Sequence, residues 1–276
     1  MDKIKGKNNY SVVILAAGIG SRLNKTGFTD PKCLLKIHGR TLLENILGNL
    51  KSRGFQNIDM IVGYKYSRII DFVKSDIKFS DINFITIKNY STNGHAYTLY
   101  KYKKKWLERK RNIIMLHADL YYDWKYFDEI LQNPNNDMIG MTTYKFLSSG
   151  PSSLAINIDK DYRVKTIKHK KLLKNPNGQI LCINKISSKM AEKLFSFMDS
   201  YFKNKDYNKK SWETLFDDFI NATNATFYTN GSKKYPWFNI NSLNDLKSAE
   251  KHHLYSKYIS TEKNESRKKC ESLTLN

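Results

Sequence analysis

The feature that most constrains the fold is a short apolar run that ends in a glycine-rich turn. Residues 12–15 (VVIL) form an uninterrupted apolar run rich in β-branched side chains, which is typical of a strand covered on both faces in a parallel sheet. Four of the next five residues, 16–20 (AAGIG), are alanine or glycine. Small residues let backbone N–H groups approach a ligand closely, and open α/β sheets bind ligands beyond the carboxyl ends of their strands. The stretch therefore predicts an α/β sheet with a ligand site after its first strand.

The charges near this loop favour an anionic ligand. Arg22 lies in the loop and Lys32 follows it by ten residues. Two common phosphate loops are excluded, because a dinucleotide-binding fingerprint needs a small residue where Leu23 stands, and a P-loop needs Gly-Lys-Ser/Thr. A turn that serves only to reverse the chain remains the alternative, but such a turn does not need the two cations.

The first half of the chain predicts repeated βαβ units. Thr41 and Glu44 form a capping box at the start of a predicted helix. Further predicted strands cover residues 58–62, 82–87, 112–116 and 138–143, and predicted helices cover residues 42–50, 66–74 and 96–108. This alternation predicts an α/β fold with a Rossmann-like, mostly parallel mixed sheet that has helices on both faces.

The second half predicts a small antiparallel elaboration at residues 144–225, within a single domain of residues 1–258. Its shorter strand signals cover residues 153–158, 164–168, 179–183, 226–228 and 237–241, and its helix signals cover residues 188–202, 212–221 and 243–253. Residues 259–276 are polar and weakly patterned, which predicts a disordered tail.

Composition narrows the function classes. The 276 residues are 40% hydrophobic and carry a formal net charge of +21. The lysines are spread along the chain rather than clustered, so we expect small anionic substrates and no nucleic acid. Three distant cysteines, and a chain with neither a secretory h-region nor a membrane-length apolar window, predict a cytoplasmic protein with no membrane partner. A homo-oligomer is left open.

The segment L-A-A-G-x-G-S-R, followed by Pro31-Lys32, resembles the opening motif of nucleotidyltransferases that make sugar nucleotides and CDP-alcohols. The resemblance implies that Lys32 acts at the α-phosphate and the acceptor, and that Arg22 acts with the loop amides at the departing pyrophosphate. Asn93-Gly94-His95 is similar to the family's G-T-G-H-A segment, which touches the base and ribose, and Gly94 would let the backbone approach the base. The implied nucleotide-binding residues are Leu15, Ala16, Ala17, Gly18, Gly20, Ser21, Arg22, Asn93, Gly94 and His95.

A metal site is implied by two strand ends. Asp119 follows an apolar strand on the same sheet edge as the glycine loop, where a carboxylate can hold Mg²⁺ against nucleotide phosphates. From the residues alone, Asp119 fits a strand-end turn equally well, and Asn241 fits the cap of a helix that begins near Leu243. The family carries a metal-binding Asp in a G-D or A-D step and a second Asp or Asn ligand, so the resemblance implies Mg²⁺ held by Asp119 and Asn241. The phosphocholine enzymes have Asp at the second position.

Within this family, the segment Ser211-Trp212-Glu213 most resembles the bacterial phosphocholine-type cytidylyltransferases. In that group a Trp and an acidic residue face the cationic head of the acceptor, a contact worth about 0.5 to 2 kcal/mol per cation–π pair. Tyr121 and Trp237 are further candidate walls of the acceptor site. A Trp on an amphipathic helix is also a common core residue.

The resemblance therefore implies Mg²⁺-dependent transfer of a cytidylyl group from CTP to a small phosphorylated or phosphonate acceptor such as phosphocholine, with release of pyrophosphate. The acceptor phosphate is mostly dianionic at neutral pH, since its second pKa is about 6, and needs no general base. A sugar-1-phosphate nucleotidylyltransferase that uses UTP, CTP or another NTP is the alternative. A non-catalytic binding module on the same fold is a third reading.

Overall fold

The computed structural model describes residues 7–25, 27–143, 154–231 and 235–254. The predicted tail at residues 259–276 lies outside these ranges, as do residues 144–153 of the predicted elaboration. The strands in chain order are β1 (Tyr10–Ala16), β2 (Lys36–Ile37), β3 (Arg40–Thr41), β4 (Ile58–Val62), β5 (Asn83–Thr86), β6 (Asn112–His117), β7 (Leu120–Tyr122), β8 (Met138–Thr142), β9 (Leu154–Ile158), β10 (Val164–His169), β11 (Gly178–Ile186) and β12 (Trp237–Asn239). The helices are α1 (Ser21–Asn24), α2 (Leu42–Ser52), α3 (Tyr66–Lys74), α4 (His95–Lys101), α5 (Lys103–Arg109), α6 (Trp124–Gln132), α7 (Ser188–Tyr201), α8 (Trp212–Thr223) and α9 (Leu243–Glu250).

The described strands build an eight-stranded central sheet in the order β10-β9-β11-β6-β1-β4-β5, with β8 also paired to β11. Strands β6, β1, β4 and β5 are parallel to their neighbours in this series. Strand β11 pairs antiparallel with β6, β8 and β9. The predicted Rossmann-like mixed sheet is confirmed, and the antiparallel strands extend that sheet directly. None of the helices in the described ranges is long and apolar enough to cross a membrane.

The centre of the sheet is buried on both faces, as the continuous apolar run predicts. Val12, Val13 and Ile14 of β1 are completely buried, and every residue of β4 is buried. The predicted capping box of α2 is also confirmed. The backbone N–H of Glu44 donates to Thr41 Oγ1 at 3.0 Å, and the backbone N–H of Thr41 donates to the Glu44 carboxylate at 2.7 Å.

Two local predictions are corrected by the structure, and two elements beside the site were not predicted. The single helix predicted at residues 96–108 is divided into α4 and α5 at Tyr102, whose buried hydroxyl donates to Asp59 Oδ2 at 3.0 Å. Residues 226–228 form no strand, because Tyr228 makes only isolated bridges to Met138 and Arg163. Strand β7 and helix α6 were not predicted; Asp123 caps α6 by accepting from the backbone N–H of Lys125.

Candidate active site

A cavity of about 400 Å³ lies beyond the carboxyl ends of β1 and β6. All ten predicted nucleotide-binding residues line this cavity, and so do Lys32, Asp119 and Asn241. Residues from five separate segments of the chain therefore surround one space. That edge of the sheet is where the sequence placed a ligand site.

Backbone hydrogen bonds hold the glycine loop against two neighbouring strand ends. The backbone N–H of Ala118 donates to the carbonyl of Leu15 at 3.1 Å, and that of Tyr64 donates to the carbonyl of Ala17 at 3.2 Å. Gly20 has φ of +69°, in the left-handed region where a side chain is strained, and it immediately precedes α1. The small residues of the loop thus serve both the turn and the open face toward the cavity.

Lys32 joins the two predicted metal ligands. Its Nζ donates to Asp119 Oδ2 at 2.5 Å and to Asn241 Oδ1 at 2.7 Å. The side chains of Lys32 and Asp119 are 13% and 24% exposed. Three strand-end or loop segments far apart in sequence therefore direct their polar groups at one point.

The charge of Lys32 keeps Asp119 ionised. Burial acts to raise the pKa of Asp119, but the positive charge and hydrogen bond of Lys32 outweigh it, and the pKa falls to about 2. Burial raises the pKa of a carboxyl but lowers that of an imidazole. The pKa of the buried His117 falls to about 3 for this reason, so its ring is neutral at physiological pH. The site at neutral pH therefore combines a charged lysine, a charged carboxylate and a neutral imidazole.

The oxygens at this point suit a hard divalent cation. Asp119 Oδ2 and Asn241 Oδ1 already converge on the ammonium of Lys32, and Asp119 Oδ1 is buried with no hydrogen-bond partner among the described residues. Carboxylate and amide oxygens are the donors that Mg²⁺ prefers, and it commonly takes one or two of them together with substrate phosphates. In the described ranges no cluster of three or more His, Cys, Asp or Glu side chains is suited to hold a metal. The residues present fit Mg²⁺ bound jointly by protein and nucleotide.

The four predicted acceptor residues do not line the cavity. Trp212 is completely buried in the main core, where its ring meets the ring of Phe216 edge-on at 5.2 Å. Glu213 is 6% exposed, and burial raises the pKa of its carboxyl to about 7, although its own backbone amide and Ser211 counteract part of that shift. Both residues stand at the start of α8, behind the cavity wall that Ser211 contributes.

Strand alternation separates the other two acceptor candidates. In the β7–β12 ribbon, Trp237 pairs with Tyr122, and Phe238 pairs with Tyr121. Trp237 and Tyr122 belong to the main core, whereas Tyr121 and Phe238 belong to a second apolar cluster. The Tyr121 hydroxyl donates to the carbonyl of His252 at 3.2 Å. Tyr121 and Trp237 therefore lie on opposite faces of the ribbon.

The sequence did not identify a cavity wall formed by the segment before α8. Lys209 and Ser211 line the cavity there. The backbone N–H of Gly94 donates to the carbonyl of Asn208 at 2.6 Å, and a Cβ atom on Gly94 would lie 2.2 Å from the carbonyl oxygen of Lys210. The close approach that requires Gly94 is thus an approach to this segment. A pairing between residues more than 100 positions apart leaves no local signal in the sequence.

Comparison with known proteins agrees with this geometry. Residues 11–251 match the family model for nucleotidyl transferase. The chain is 25% identical over 240 residues to the choline-phosphate cytidylyltransferase of Streptococcus pneumoniae, covering 86% of this chain and 96% of that protein. It is 29% identical over 116 residues to the CTP:phosphoglutamine cytidylyltransferase of Campylobacter jejuni, a match that spans 41% of this chain and 44% of that protein.

A solved structure extends the agreement to the fold. The inositol-1-phosphate CTP transferase from T. maritima superposes with a TM-score of 0.71 at 15% identity, covering 89% of this chain and 97% of that one. An identity this low supports a shared fold alone. Because the family model spans most of the chain, the resemblance inferred from the glycine loop is confirmed, and the protein is an enzyme that belongs to the nucleotidyl transferase family.

Proposed function

We propose that this protein transfers a cytidylyl group from CTP to a small phosphorylated or phosphonate acceptor and releases pyrophosphate. The observation that carries the proposal is the convergence of Lys32, Asp119 and Asn241 beside the glycine loop. CTP is favoured because the two curated relatives described above are named as cytidylyltransferases.

The charge of the cavity suits a polyphosphate. Arg22, Lys32 and Lys209 line it, and Asp119 is the one acidic residue among the lining residues. In this proposal Arg22 and the loop amides bind the leaving pyrophosphate, and the segment at residues 93–95 binds the base and ribose. Preorganised positive groups of this kind stabilise the charge that accumulates in phosphoryl transfer.

Asp119 and Asn241 would hold Mg²⁺, which when bound neutralises phosphate charge and orients the nucleotide. Lys32 would then contact the α-phosphate and the acceptor phosphate. Lys32 Nζ now donates to Asp119 Oδ2 and Asn241 Oδ1, so its ammonium group already lies within reach of the position where the metal-bound phosphates would be.

The reaction needs no covalent enzyme intermediate. An oxygen of the acceptor phosphate or phosphonate forms a bond to the α-phosphorus, and the bond from that phosphorus to the bridging oxygen breaks with its electron pair on pyrophosphate. The acceptor is already an anion, so the protein does not need to remove a proton. Positioning and charge neutralisation are the contributions that the lining residues make.

An amine-bearing acceptor such as phosphocholine is the first candidate, because the chain matches a choline-phosphate cytidylyltransferase over most of its length. A sugar-1-phosphate acceptor is the second candidate, and burial of Trp212 favours it. The ring of Trp212 contacts those of His117 and Phe216 and is not exposed to a ligand.

Pyrophosphate release should be measured with CTP, UTP, ATP and GTP in turn, with and without Mg²⁺. Each nucleotide should be paired with phosphocholine, phosphoethanolamine, 2-aminoethylphosphonate and glucose-1-phosphate. We expect release with CTP, Mg²⁺ and an amine-bearing acceptor. Release only with a sugar phosphate would establish the second candidate, and no release from a folded protein with any pair would overturn both.

A further inference from the structure

Two residues that line the cavity, His117 and Asp119, each have one buried polar atom without a hydrogen-bond partner among the described residues. His117 Nε2 and Asp119 Oδ1 are both buried and make no hydrogen bond with the described residues. His117 Nδ1 lies 3.8 Å from Asp119 Oδ1. This distance exceeds a hydrogen bond by less than 1 Å, so a small movement of either group would form one.

The histidine is the more firmly held of the two. Its side chain is 9% exposed, and its ring is flanked by the ring of His95 at 5.3 Å and that of Trp212 at 6.0 Å, both at steep angles. It also pairs with Leu15 in the register of β6 and β1. The carboxylate of Asp119 is 24% exposed, so it is less enclosed by neighbouring side chains than the ring.

In the proposed reaction Asp119 loses its present hydrogen-bond partner. Its Oδ2 is now paired with Lys32, which in the proposed reaction contacts phosphate instead. Apart from Lys32, His117 is the basic side chain among the described residues that comes within 4 Å of this carboxylate. Carboxylates that bind metals are usually hydrogen-bonded through their other oxygen, which fixes their orientation.

We propose that His117 is a positioning residue for Asp119. Its Nδ1–H donates to Asp119 Oδ1 when the cavity is filled and directs Oδ2 toward Mg²⁺. This inference rests on the proposed function, and it assigns a role to a residue that the glycine-loop resemblance does not reach. The neutral ring then carries its proton on Nδ1.

The test uses substitutions that keep one ring nitrogen at a time. In His117→Asn the side-chain amide stands close to the position of Nδ1, in His117→Gln it stands close to that of Nε2, and His117→Leu removes both. Binding of Mn²⁺ in the presence of CTP should be followed by the resonance signal of free Mn²⁺, and CTP binding without metal should be measured by calorimetry. His169→Leu, an exposed histidine at the end of β10, is the matched control.

We expect His117→Leu to weaken Mn²⁺ binding in the CTP complex by at least tenfold while CTP binding without metal changes less than threefold. His117→Asn should recover Mn²⁺ binding to within threefold of wild type, and His117→Gln should not. Unchanged binding in the Leu variant, failure of Asn to recover it, or equal recovery by Gln would overturn the inference. If the Leu variant does not fold, the Asn and Gln variants decide between positioning and packing.

The two proposals fail differently. A wild-type protein that binds Mn²⁺ with CTP and releases pyrophosphate, while all His117 variants bind Mn²⁺ normally, retains the proposed function and loses only this inference. A wild-type protein that does neither loses both.

Discussion

The two walls of the cavity are built in different ways. The loop wall, residues 15–22, follows a strand buried on both faces, and strand position alone brings it to the cavity. The opposite wall, residues 208–211, is placed by backbone contacts with Gly94 and by the packing of α8. A strand end places side chains by local rules, whereas the direction of a helix face depends on distant partners. Residue identity is therefore a good guide to function on the first wall and a poor one on the second.

The sharpest test is Lys32→Ala, because the Lys32 side chain lies beside Gly20 of the loop wall. Loss of this charge at the reacting phosphates should lower turnover on the order of a thousandfold. The variant should still fold, because the lysine is at the edge of the cavity rather than in the core, but loss of its ion pair with Asp119 should lower the apparent melting temperature. Pyrophosphate release and thermal unfolding measure the two effects. Lys36→Ala, an exposed lysine on β2, is the control, and a folded Lys32→Ala protein within tenfold of wild type would remove the proposed role.

Trp212→Ala, at the start of α8 behind the opposite wall, should reduce stability before it affects activity. Deleting a completely buried indole from the core should lower the free energy of unfolding by about 3 to 5 kcal/mol. Urea unfolding measures this loss, and Trp212→Phe should recover much of it. If the Phe variant were as stable as wild type yet lost selectivity for a choline-bearing acceptor, Trp212 would be a substrate contact and the two walls would follow the same rule.

Glu213→Gln tests whether the Glu213 side chain is buried behind this wall, because burial makes stability depend on pH. The carboxyl has a pKa of 4.5 when unperturbed and about 7 in the folded protein, because of burial. The folded state then binds more protons than the unfolded state between these values, so this carboxyl lowers stability as pH rises from 4.5 to 7, by about 3 kcal/mol in total.

The Gln variant should lack that loss, so its advantage over wild type in urea unfolding should grow from pH 5 to pH 8. The exposed Glu192→Gln serves as control. A Glu213→Gln variant that shows no pH-dependent difference, but weakens a cationic acceptor and not CTP, would indicate an accessible carboxylate in contact with substrate.

The smallest expected effects compare one glycine from each wall contact, Gly94 against the segment before α8 and Gly18 in the loop wall. Gly94→Ala places a methyl group 2.2 Å from the carbonyl oxygen of Lys210, so backbone must move, and we expect a loss of about 1 to 3 kcal/mol in unfolding free energy. Gly18→Ala meets no atom closer than His95 Nε2 at 4.0 Å. It should leave stability unchanged and raise the KM for CTP, because the methyl group faces the cavity. Equal stability of the two variants in urea would contradict the contact described for Gly94.

Local rules predicted the parallel half of the fold well. The bounds of α3 and β4 match their predicted ranges, because an apolar period or run and its flanking breakers mark each end. Helix α6 was not predicted, although its apolar residues, including Phe127 and Ile130, stand at helical spacing. The sequence around Tyr102 carries no proline or glycine that would predict the break, and the hydrogen bond from Tyr102 to Asp59 on β4 joins residues 43 positions apart.

The site divides in the same way. The motif resemblance predicts roles for Lys32, Asp119 and Asn241, and their convergence depends on the turn at Lys32, the end of β6 and the pairing of β12 with β7. The face on which Tyr121 lies was predictable only once its partner in β12 was known, because neighbouring residues on a strand point in opposite directions.

The convergence of Lys32, Asp119 and Asn241 depends on the register of the short β7–β12 ribbon. The backbone N–H of Ile240 donates to the carbonyl of Asp119 at 3.0 Å, one residue beyond the last ladder pair, and Asn241 follows at once. A slip of one residue would present the buried, aliphatic Ile240 to Lys32 in place of an amide oxygen. The three residue pairs of the ribbon therefore fix the strand register, and the register decides whether Lys32 contacts an amide oxygen or a hydrocarbon side chain.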